Sequence, residues 1–499
     1  MLGTVVIVND YAYVNGGAGW VALSTAKALK KKGYRVILFS GVGPIDVGLV
    51  ELGIEVVCLG ISDILHEKNR LYAFCQGLWN KKAYNLFLNL LSALNNKETI
   101  IHFHSWSKSL SPSVLYATNK MGFHSVLTLH DFFLYCPNGG FFNYQKQKIC
   151  SLNPLSLSCL VCNCDARSYS QKVWRCIRQF IQNRVVRKMN NLTCISISDL
   201  SSRIFNESDW HEKVSNIRIN NPIETKFTTE YVSIEKNETY LFIARLSLEK
   251  GLDLFCDAIS QLGLKGCVLG DGYLLESYRQ KYPTIEFAGW VSGEDKKYYY
   301  QSAKAFIFTS RWYETFGLVV AEMKSYGIPC IVPDRCAASE QIEEGKTGYI
   351  FESGNLESLK ECICKYEQTD IIKLQNNILD ISTSQCEVNI DLIEKFRNII
   401  TSIDGDRIGL VIYNTAPVVY CPLTDDYDYI NECFDVIIEQ LKIAEENNGS
   451  PPVTYKKDGV EMPMIWYGGA GANSDTRGSS LVGDGLARNI ILVSRFKKR

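Results

Sequence analysis

The feature that most constrains the fold is a repeated alternation of short apolar strands and amphipathic helices along the 499 residues. The β-branched run at residues 4–8 is followed by the glycine-rich segment at residues 16–19, and then by apolar residues at helical spacing. Gly33 ends this helical pattern, and residues 35–39 predict the next strand. A strand, a helix and a second strand in this order are the unit of a doubly wound parallel sheet. The sequence therefore predicts an α/β fold.

The alternation lapses in a polar stretch at residues 220–238 and then begins again. The second series predicts strands at residues 240–243, 266–269, 285–288, 305–309 and 330–332, and helices at residues 251–262 and 317–326. Two such series predict two Rossmann-like domains that face a cleft. We place them at residues 1–218 and 219–402, the second closed by a helix at residues 390–400.

Residues 403–499 form an additional segment of unknown function. Residues 407–420 predict one or two strands, and residues 427–447 predict an amphipathic helix. The second glycine quartet, at residues 468–471, lacks a strand before it and a helix after it. We therefore favour a plain loop over a phosphate-binding loop there.

Charge and hydropathy exclude several classes of protein. The chain has 53 Lys and Arg residues against 54 Asp and Glu residues, which argues against general nucleic-acid binding. There is no basic-flanked secretory signal and no continuous apolar run of about 18 to 20 residues. We expect a cytoplasmic protein. Peripheral association with the inner face of the cytoplasmic membrane stays open.

Two cations flank a predicted strand-loop-helix corner in the second series. Arg245 follows the strand at residues 240–243, and Lys250 precedes the next helix. A guanidinium and an ammonium at such a corner can both reach a diphosphate. Gly16 and Gly17 lie at the equivalent corner of the first series, where glycine lets a phosphate approach the backbone. Each pattern by itself also suits an ordinary surface loop or a tight turn.

A second group of candidate residues follows the strand at residues 305–309. Glu314 precedes the predicted helix, and Glu322 lies eight positions further along. The amides of residues 316–318 open that helix and point at whatever lies above its N-terminus. Taken alone, the two carboxylates would be a helix cap and a surface residue.

In combination, these residues resemble the retaining family-4 glycosyltransferases, which have the GT-B fold. The resemblance covers about residues 1–402 and rests on the following motifs: Gly16-Gly17, His102-Phe-His104, Thr128-Leu-His130-Asp131, Arg245 with Lys250, Gly270-Asp271-Gly272, Phe287-Ala-Gly289, Glu314 with Glu322, Gly327-Ile-Pro329, Glu340 and Gly345-Lys-Thr-Gly348.

The resemblance implies an N-terminal acceptor domain and a C-terminal domain for a nucleotide-diphosphate sugar. It implies catalytic roles for Glu314 and His130, and no cofactor or metal is expected for catalysis. Outside the resemblance His130 would be a structural hydrogen-bonding residue, which is also how we interpret His102, His104 and His124. The donor-binding residues implied are Gly16, Gly17, Arg245, Lys250, Gly270, Phe316, Gly317, Leu318 and Glu322.

The implied reaction is transfer of a hexose-type sugar with retention of configuration. The implied acceptor is a glycan, lipid-linked, in bacterial surface polysaccharide or lipopolysaccharide biosynthesis. Two other functions stay open on the same scaffold. One is a nucleotide-sugar epimerase, and the other is a non-catalytic adaptor that binds a glycan or a nucleotide.

A cysteine-rich segment follows His130. Tetrahedral zinc needs four soft ligands, and Cys136, Cys150, Cys159 and Cys162 could supply them on turns. The spacing does not form two regular Cys-x-x-Cys pairs, so structural zinc stays open beside reduced thiols without a metal and redox chemistry.

A basic segment comes next. Residues 166–198 contain no acidic residue and seven basic ones: Arg167, Lys172, Arg175, Arg178, Arg184, Arg187 and Lys188. Apolar residues are interleaved with them, which predicts a basic amphipathic helix. Such a helix suits contact with anionic lipid headgroups or a lipid-diphosphate acceptor, and it equally suits a solvated helix that packs on its domain.

Overall fold

The computed structural model describes residues 3–208, 210, 212–221, 232–291, 293 and 295–384, together with short segments further on. Those segments are residues 406–413, 417–424, 428, 431–432, 435–436, 438–439, 454–457, 460–463 and 496–497. The chain forms two compact units, residues 1–376 and residues 377–499. The three predicted domain boundaries stay predictions.

The first unit contains two parallel sheets. The first has seven strands in the order β3-β2-β1-β4-β5-β8-β9, all parallel. Its strands are β1 (Thr4–Tyr11), β2 (Arg35–Val42), β3 (Glu55–Cys58), β4 (Thr99–Phe103), β5 (His124–Thr128), β8 (Leu192–Ser196) and β9 (Ser215–Arg218). Two short strands between β5 and β8, β6 (Phe142–Asn143) and β7 (Lys148–Ile149), form a separate hairpin.

The second sheet has six parallel strands in the order β12-β11-β10-β13-β14-β15. Its strands are β10 (Thr239–Ile243), β11 (Lys265–Leu269), β12 (Glu286–Gly289), β13 (Ala303–Ile307), β14 (Cys330–Pro333) and β15 (Gly348–Phe351). In both sheets the strand order reverses beside the first strand, which is where open α/β sheets bind ligands. The predicted α/β class with two Rossmann-like sheets is confirmed.

Helices connect the strands. Those of the first sheet are α1 (Gly17–Lys31), α2 (Val47–Glu51), α3 (Arg70–Leu78), α4 (Lys81–Ser92), α5 (Ser113–Lys120), α6 (Leu157–Val161), α7 (Tyr169–Val186) and α8 (Asp199–Asn206). Those of the second are α9 (Leu252–Gln261), α10 (Leu275–Lys281), α11 (Asp295–Gln301), α12 (Leu318–Ser325), α13 (Leu356–Glu367) and α14 (Ile371–Ser384). Three 3₁₀ turns are at Ile234–Lys236, Leu248–Lys250 and Ala337–Gln341.

Each sheet is buried on both faces. The strands read as continuous apolar runs, such as Val5–Val8 in β1, because helices cover a parallel sheet on both sides. Val6 and Val8 pack in one apolar cluster, and Val5 and Ile7 pack in another on the opposite face. The two faces of the second sheet likewise carry separate clusters. Buried strands hold the loops at their carboxyl ends in fixed positions.

Helix α7 differs from the sequence prediction. Lys172 and Arg178 are buried, and Arg175 forms a 2.8 Å ion pair with the fully buried Asp165. The prediction of a single exposed basic face is therefore wrong for these three residues. These side chains face the interior of the first unit, while several apolar residues of the same helix face outward.

The described part of the second unit contains the end of α14 and two groups of antiparallel strands. Strand β16 (Asp406–Tyr413) pairs with β17 (Pro417–Thr424) and β20 (Phe496–Lys497), and β18 (Thr454–Lys457) pairs with β19 (Val460–Pro463). The sequence prediction of one or two strands at residues 407–420 is confirmed as two. The predicted closing helix at residues 390–400 and the glycine quartet at residues 468–471 lie outside the described residues. So does most of the predicted helix at residues 427–447.

Candidate functional site

The candidate site lies where loops at the carboxyl ends of the two parallel sheets meet. The Thr315 hydroxyl, after β13, donates a 2.8 Å hydrogen bond to the carbonyl oxygen of His130, after β5. A Cβ atom added to Gly17, after β1, would lie 2.8 Å from the Leu318 side chain. The sequence-predicted residues of the first series and the segment around Glu314 are therefore neighbours.

Glu314 is the centre of the site. Its Oε1 atom accepts hydrogen bonds from the Lys250 ammonium, from the Ser310 hydroxyl at 2.9 Å and from the Trp312 indole N–H at 2.8 Å. Both charged side chains are mostly buried, with 17% of Lys250 and 16% of Glu314 exposed. Burial raises the pKa of Glu314, but the charge and the hydrogen bond of Lys250 outweigh it, so the pKa is lowered. Glu314 is consequently ionised near neutral pH.

Backbone geometry explains how Lys250 reaches Glu314 across 64 positions of sequence. Gly251 has a φ of 69°, and a Cβ at this position would overlap the carbonyl oxygen of Thr309. The Thr309 hydroxyl donates to the carbonyl oxygens of Gly251 at 2.8 Å and Lys250 at 3.1 Å. Glycine at position 251 thus lets the loop that carries Lys250 pack closely against Thr309. The ammonium also lies 4.8 Å from the centre of the Trp312 ring.

Arg245 is held beside this centre by an acidic residue that the sequence reasoning missed. The Arg245 guanidinium donates at 2.7 Å to Glu249, of which only 3% of the side chain is exposed. The Glu249 carbonyl oxygen accepts at 2.8 Å from the backbone N–H of Arg311. Because 65% of the Arg245 side chain is exposed, its charge is available to a ligand.

Gly270 supports the loop that carries Arg245. Its φ is 140°, and a Cβ there would overlap the carbonyl oxygen of Ala244. The next residue, Asp271, accepts a 2.9 Å hydrogen bond from the Leu246 amide at its backbone oxygen. Gly270 therefore positions the backbone of residues 244–246. Its predicted contact with the donor stays a prediction.

The N-terminus of α12 adds backbone donors. Gly317 caps the helix with a φ of 83°, and Phe316 and Leu318 flank it. Within the described residues, no hydrogen-bond acceptor faces the amides of Phe316, Gly317 and Leu318. Such amides, together with the positive end of the helix dipole, attract anions. Gly16, which caps α1 with a φ of 86°, presents a second helix N-terminus at the same edge.

Glu322 lies apart from the Glu314 cluster, about two turns along α12. Its Oε1 atom accepts from the Tyr300 hydroxyl at 2.9 Å, and the Lys296 ammonium lies 3.5 Å from it. About a third of the side chain is exposed. The structure therefore separates the two carboxylates into two environments.

Three histidines line the opposite side of the site. His130 Nε2 lies 2.9 Å from Nδ1 of His104, and the two rings are stacked. Burial lowers the pKa of His130 to about 3 and the pKa of His102 to about 4. His130 is therefore neutral at physiological pH, so it can make hydrogen bonds but contributes no positive charge.

His104 Nε2 is buried and has no partner in the described part of the chain. It lines a small cavity together with Ser105, Ser107, Thr128 and Asp131. His104 thus connects His130 to this cavity.

The cysteine-rich segment differs from the predicted zinc set. Cys159 and Cys164 accept hydrogen bonds at 3.4 and 3.2 Å from the ammonium of Lys172, which is fully buried. Asn138 also donates to Cys164, at 3.1 Å. Among the residues with described positions, no group of three His, Cys, Asp or Glu side chains is arranged to hold a metal ion.

A cluster built around an ammonium does not fit a four-thiolate site. The structure adds no support for zinc at Cys136, Cys150, Cys159 and Cys162, so this site stays a prediction from the sequence alone.

The same segment contacts the donor side of the site. A Cβ on Gly140 would lie 2.6 Å from the Trp312 ring, and the Phe132 and Phe141 rings pack within 6.4 Å of Tyr313. Arg311 donates at 2.7 Å to the side-chain oxygen of Gln147. No pattern in the sequence indicates these contacts, because they join residues more than 150 positions apart.

The architecture is that of solved GT-B glycosyltransferases, which share this fold. Residues 224–380 match the model of the family "Glycosyl transferases group 1". The match covers less than half of the chain, and over these residues the chain is similar to that family.

Three similar proteins illustrate the match. An uncharacterized 41.2 kDa protein in the cps region of Klebsiella pneumoniae is 24% identical over 281 residues, which are 54% of this chain and 71% of that protein. A GDP-mannose-dependent alpha-mannosyltransferase of Mycobacterium tuberculosis is 28% identical over 116 residues, 23% of this chain and 30% of that enzyme. The crystal structure of Anabaena Alr3699/HepE in complex with UDP-glucose has a TM-score of 0.54 at 16% identity, covering 76% of this chain and 94% of that one.

No helix in the described residues is long and apolar enough to cross a membrane.

Proposed function

We propose that the protein is a retaining glycosyltransferase that moves a hexose-type sugar from a nucleotide-diphosphate donor to a glycan acceptor. The observation that carries the proposal is the Lys250–Glu314 cluster beside Arg245, at the carboxyl edge of the second sheet. Two cations, with the amides of residues 316–318 at the N-terminus of α12, are suited to bind a diphosphate that leaves with negative charge. Catalysis by such fixed charges needs no metal ion.

In the proposed reaction, the bond between the anomeric carbon and the β-phosphate oxygen breaks. The acceptor hydroxyl oxygen forms the new bond on the same face, and its proton goes to the departing phosphate oxygen. Lys250 and Arg245 stabilise the charge of the diphosphate. Glu314 accepts hydrogen bonds from sugar hydroxyls, and Glu322 accepts them from the ribose.

His130 faces the transferred sugar from the first sheet. Because the imidazole is neutral, it cannot stabilise an oxocarbenium-like transition state by charge. We therefore assign His130 a hydrogen bond to a hydroxyl of the donor sugar.

We further propose that the acceptor is a lipid-linked bacterial surface polysaccharide at the inner face of the cytoplasmic membrane. The support is the Klebsiella relative, which is described as lying in a cps region. Relatives named for GDP-mannose and for a UDP-glucose complex differ in their nucleotide, so the donor base is left to the experiment.

The test is a screen of UDP- and GDP-sugars by thermal shift, followed by transfer to glycan acceptors extracted with their lipid carriers. A donor at 100 times its dissociation constant stabilises the protein by about 2.7 kcal/mol. Glu314→Ala and Lys250→Ala should abolish transfer without unfolding the protein. The matched control is Glu276→Ala, an exposed carboxylate in the same sheet layer, which should keep wild-type activity.

Three results would contradict the proposal. Near-normal turnover of Glu314→Ala or Lys250→Ala would refute the site. Conversion of the donor to an isomer without any acceptor would identify an epimerase, and donor binding without turnover by any acceptor would indicate an adaptor.

A further inference from the structure

Helix α7 has an inverted distribution of polarity. Its buried side carries Lys172, Arg178, Gln179 and Gln182, each less than 5% exposed. Its solvent side carries Val173, Ile177 and Phe180, which are spaced four and three residues apart and so lie on one face. A helix that packs on a soluble domain normally shows the opposite pattern. The outward apolar face therefore needs an explanation beyond folding.

Two neighbouring helices extend this face. The Tyr169 hydroxyl, at the start of α7, donates at 2.9 Å to the carbonyl oxygen of Leu160 in α6. The Trp174 indole donates at 3.2 Å to the carbonyl oxygen of Phe74 in α3, and the rings of these two residues are 6.2 Å apart. The exposed apolar side chains of the three helices are Leu71, Tyr72, Phe74, Leu157, Leu160, Val161, Tyr169, Val173, Ile177 and Phe180. We call this surface the α3/α6/α7 face.

The exposed charge on the α7 side of the α3/α6/α7 face is basic, whereas the half-exposed Glu67 precedes α3. Residues 166–198 contain no acidic residue, and Arg167, Arg184, Arg187 and Lys188 are exposed at the surface. The Arg184 guanidinium lies 5.4 Å from the centre of the Phe180 ring, so a cation directly borders the apolar stripe. Asp165, just before this segment, is fully buried and paired with Arg175, and Asp199, just after it, is exposed and paired with Arg218.

We propose that the α3/α6/α7 face docks on an anionic lipid bilayer. Apolar side chains of this size are suited to the headgroup–acyl boundary, and exposed Arg and Lys residues at its border attract headgroup phosphates. Exposed apolar patches of this kind also occur at protein interfaces, but a second copy of this chain would bring the same basic border against itself. The charge therefore favours a phosphate-bearing surface over a dimer.

The experiment is flotation of the full-length protein with vesicles of phosphatidylglycerol and phosphatidylcholine in equal parts, and with vesicles of phosphatidylcholine alone. It uses no nucleotide sugar, so its outcome is independent of the proposed transfer reaction. The wild type should float with the anionic vesicles and much less with the neutral ones. Binding should weaken as salt is raised.

The key variant is Ile177→Glu, and its matched control is Ile372→Glu. Both isoleucines are 43% exposed, but Ile372 lies in α14, far along the chain. Ile177→Glu should lower the partition to anionic vesicles about 10-fold or more, because an inserted side chain is lost and a like charge is added. Ile372→Glu should bind as the wild type does.

A second variant keeps the apolar face and removes charge only. Arg184→Gln with Lys188→Gln should lower partition to anionic vesicles about 5-fold for each charge. Equal binding of Ile177→Glu and Ile372→Glu, or no binding of the wild type, would overturn the proposal. It would also be overturned if the wild type were a dimer in solution that Ile177→Glu converts to a monomer without any effect on vesicles.

Discussion

Removal of Lys250 tests whether its ion pair with Glu314 organises the site. In Lys250→Met, the Glu314 carboxylate, which is 84% buried, keeps its hydrogen bonds to Ser310 and Trp312 but loses the Lys250 ammonium. Breaking a buried pair from one side costs about 3 to 5 kcal/mol. Because two neutral donors remain, we expect a loss near the lower limit, about 3 kcal/mol of unfolding free energy.

A double-mutant cycle isolates the interaction. Glu314→Gln alone leaves the ammonium without its carboxylate, whereas the double variant leaves neither charge unpaired. The free energies should therefore be non-additive by about 2 kcal/mol, measured from urea unfolding followed by tryptophan fluorescence. If the donor is bound as proposed, the kcat of Lys250→Met should also fall by about 100-fold or more.

The exposed pair Lys265–Glu238 in the same sheet layer serves as the control for the cycle. The effects of its two single substitutions on the free energy of unfolding should be additive, since exposed ion pairs are screened by solvent. Additivity at Lys250 and Glu314 as well would refute the inference that this pair is a buried, coupled unit.

Two further predictions concern stability. Gly251→Ala should lower the free energy of unfolding by about 1 to 3 kcal/mol more than Gly263→Ala does. Both glycines have a φ near 65° to 70°, but of the two only position 251 lacks space for a Cβ. Equal losses in urea titrations would refute the close packing against Thr309. Stability should decrease as pH falls from about 6.5 towards 4, because His102 and His130 take up protons in the unfolded chain well before they do in the folded one. Thermal melts across this range should show a smaller slope for His102→Gln, and an unchanged slope would argue against a buried neutral ring at that position.

The sequence predicted the two parallel sheets because buried strands and amphipathic helices leave strong periodic patterns. The strands predicted at residues 240–243 and 266–269 each lack only the first residue of β10 and β11. The last strand of the second sheet, β15 (Gly348–Phe351), was missed, because a four-residue strand that begins with glycine carries little periodicity. Helix α7 was predicted as a helix, but its orientation was wrong, because a sequence shows which residues share a face and not which face is buried.

The candidate site was predicted in its charged residues and missed in their partners. Lys250 and Glu314 stood out because each lies at a strand-loop-helix corner. Glu249 and Trp312 lie beside them in sequence, yet nothing in the pattern showed that one would hold Arg245 and the other Glu314. Such partners depend on how two distant loops pack, here Gly251 against Thr309.

The contact between Gly140 and Trp312 limits how this protein could be recombined with a relative. Exchanging one sheet layer for that of a relative, in order to change donor or acceptor, would separate the 131–168 segment from the loop around Glu314 that it touches. A chimera that cuts only at the linker near residue 220 should therefore express as a folded protein with an impaired centre. Transplanting the 131–168 segment together with residues 309–316 should restore it.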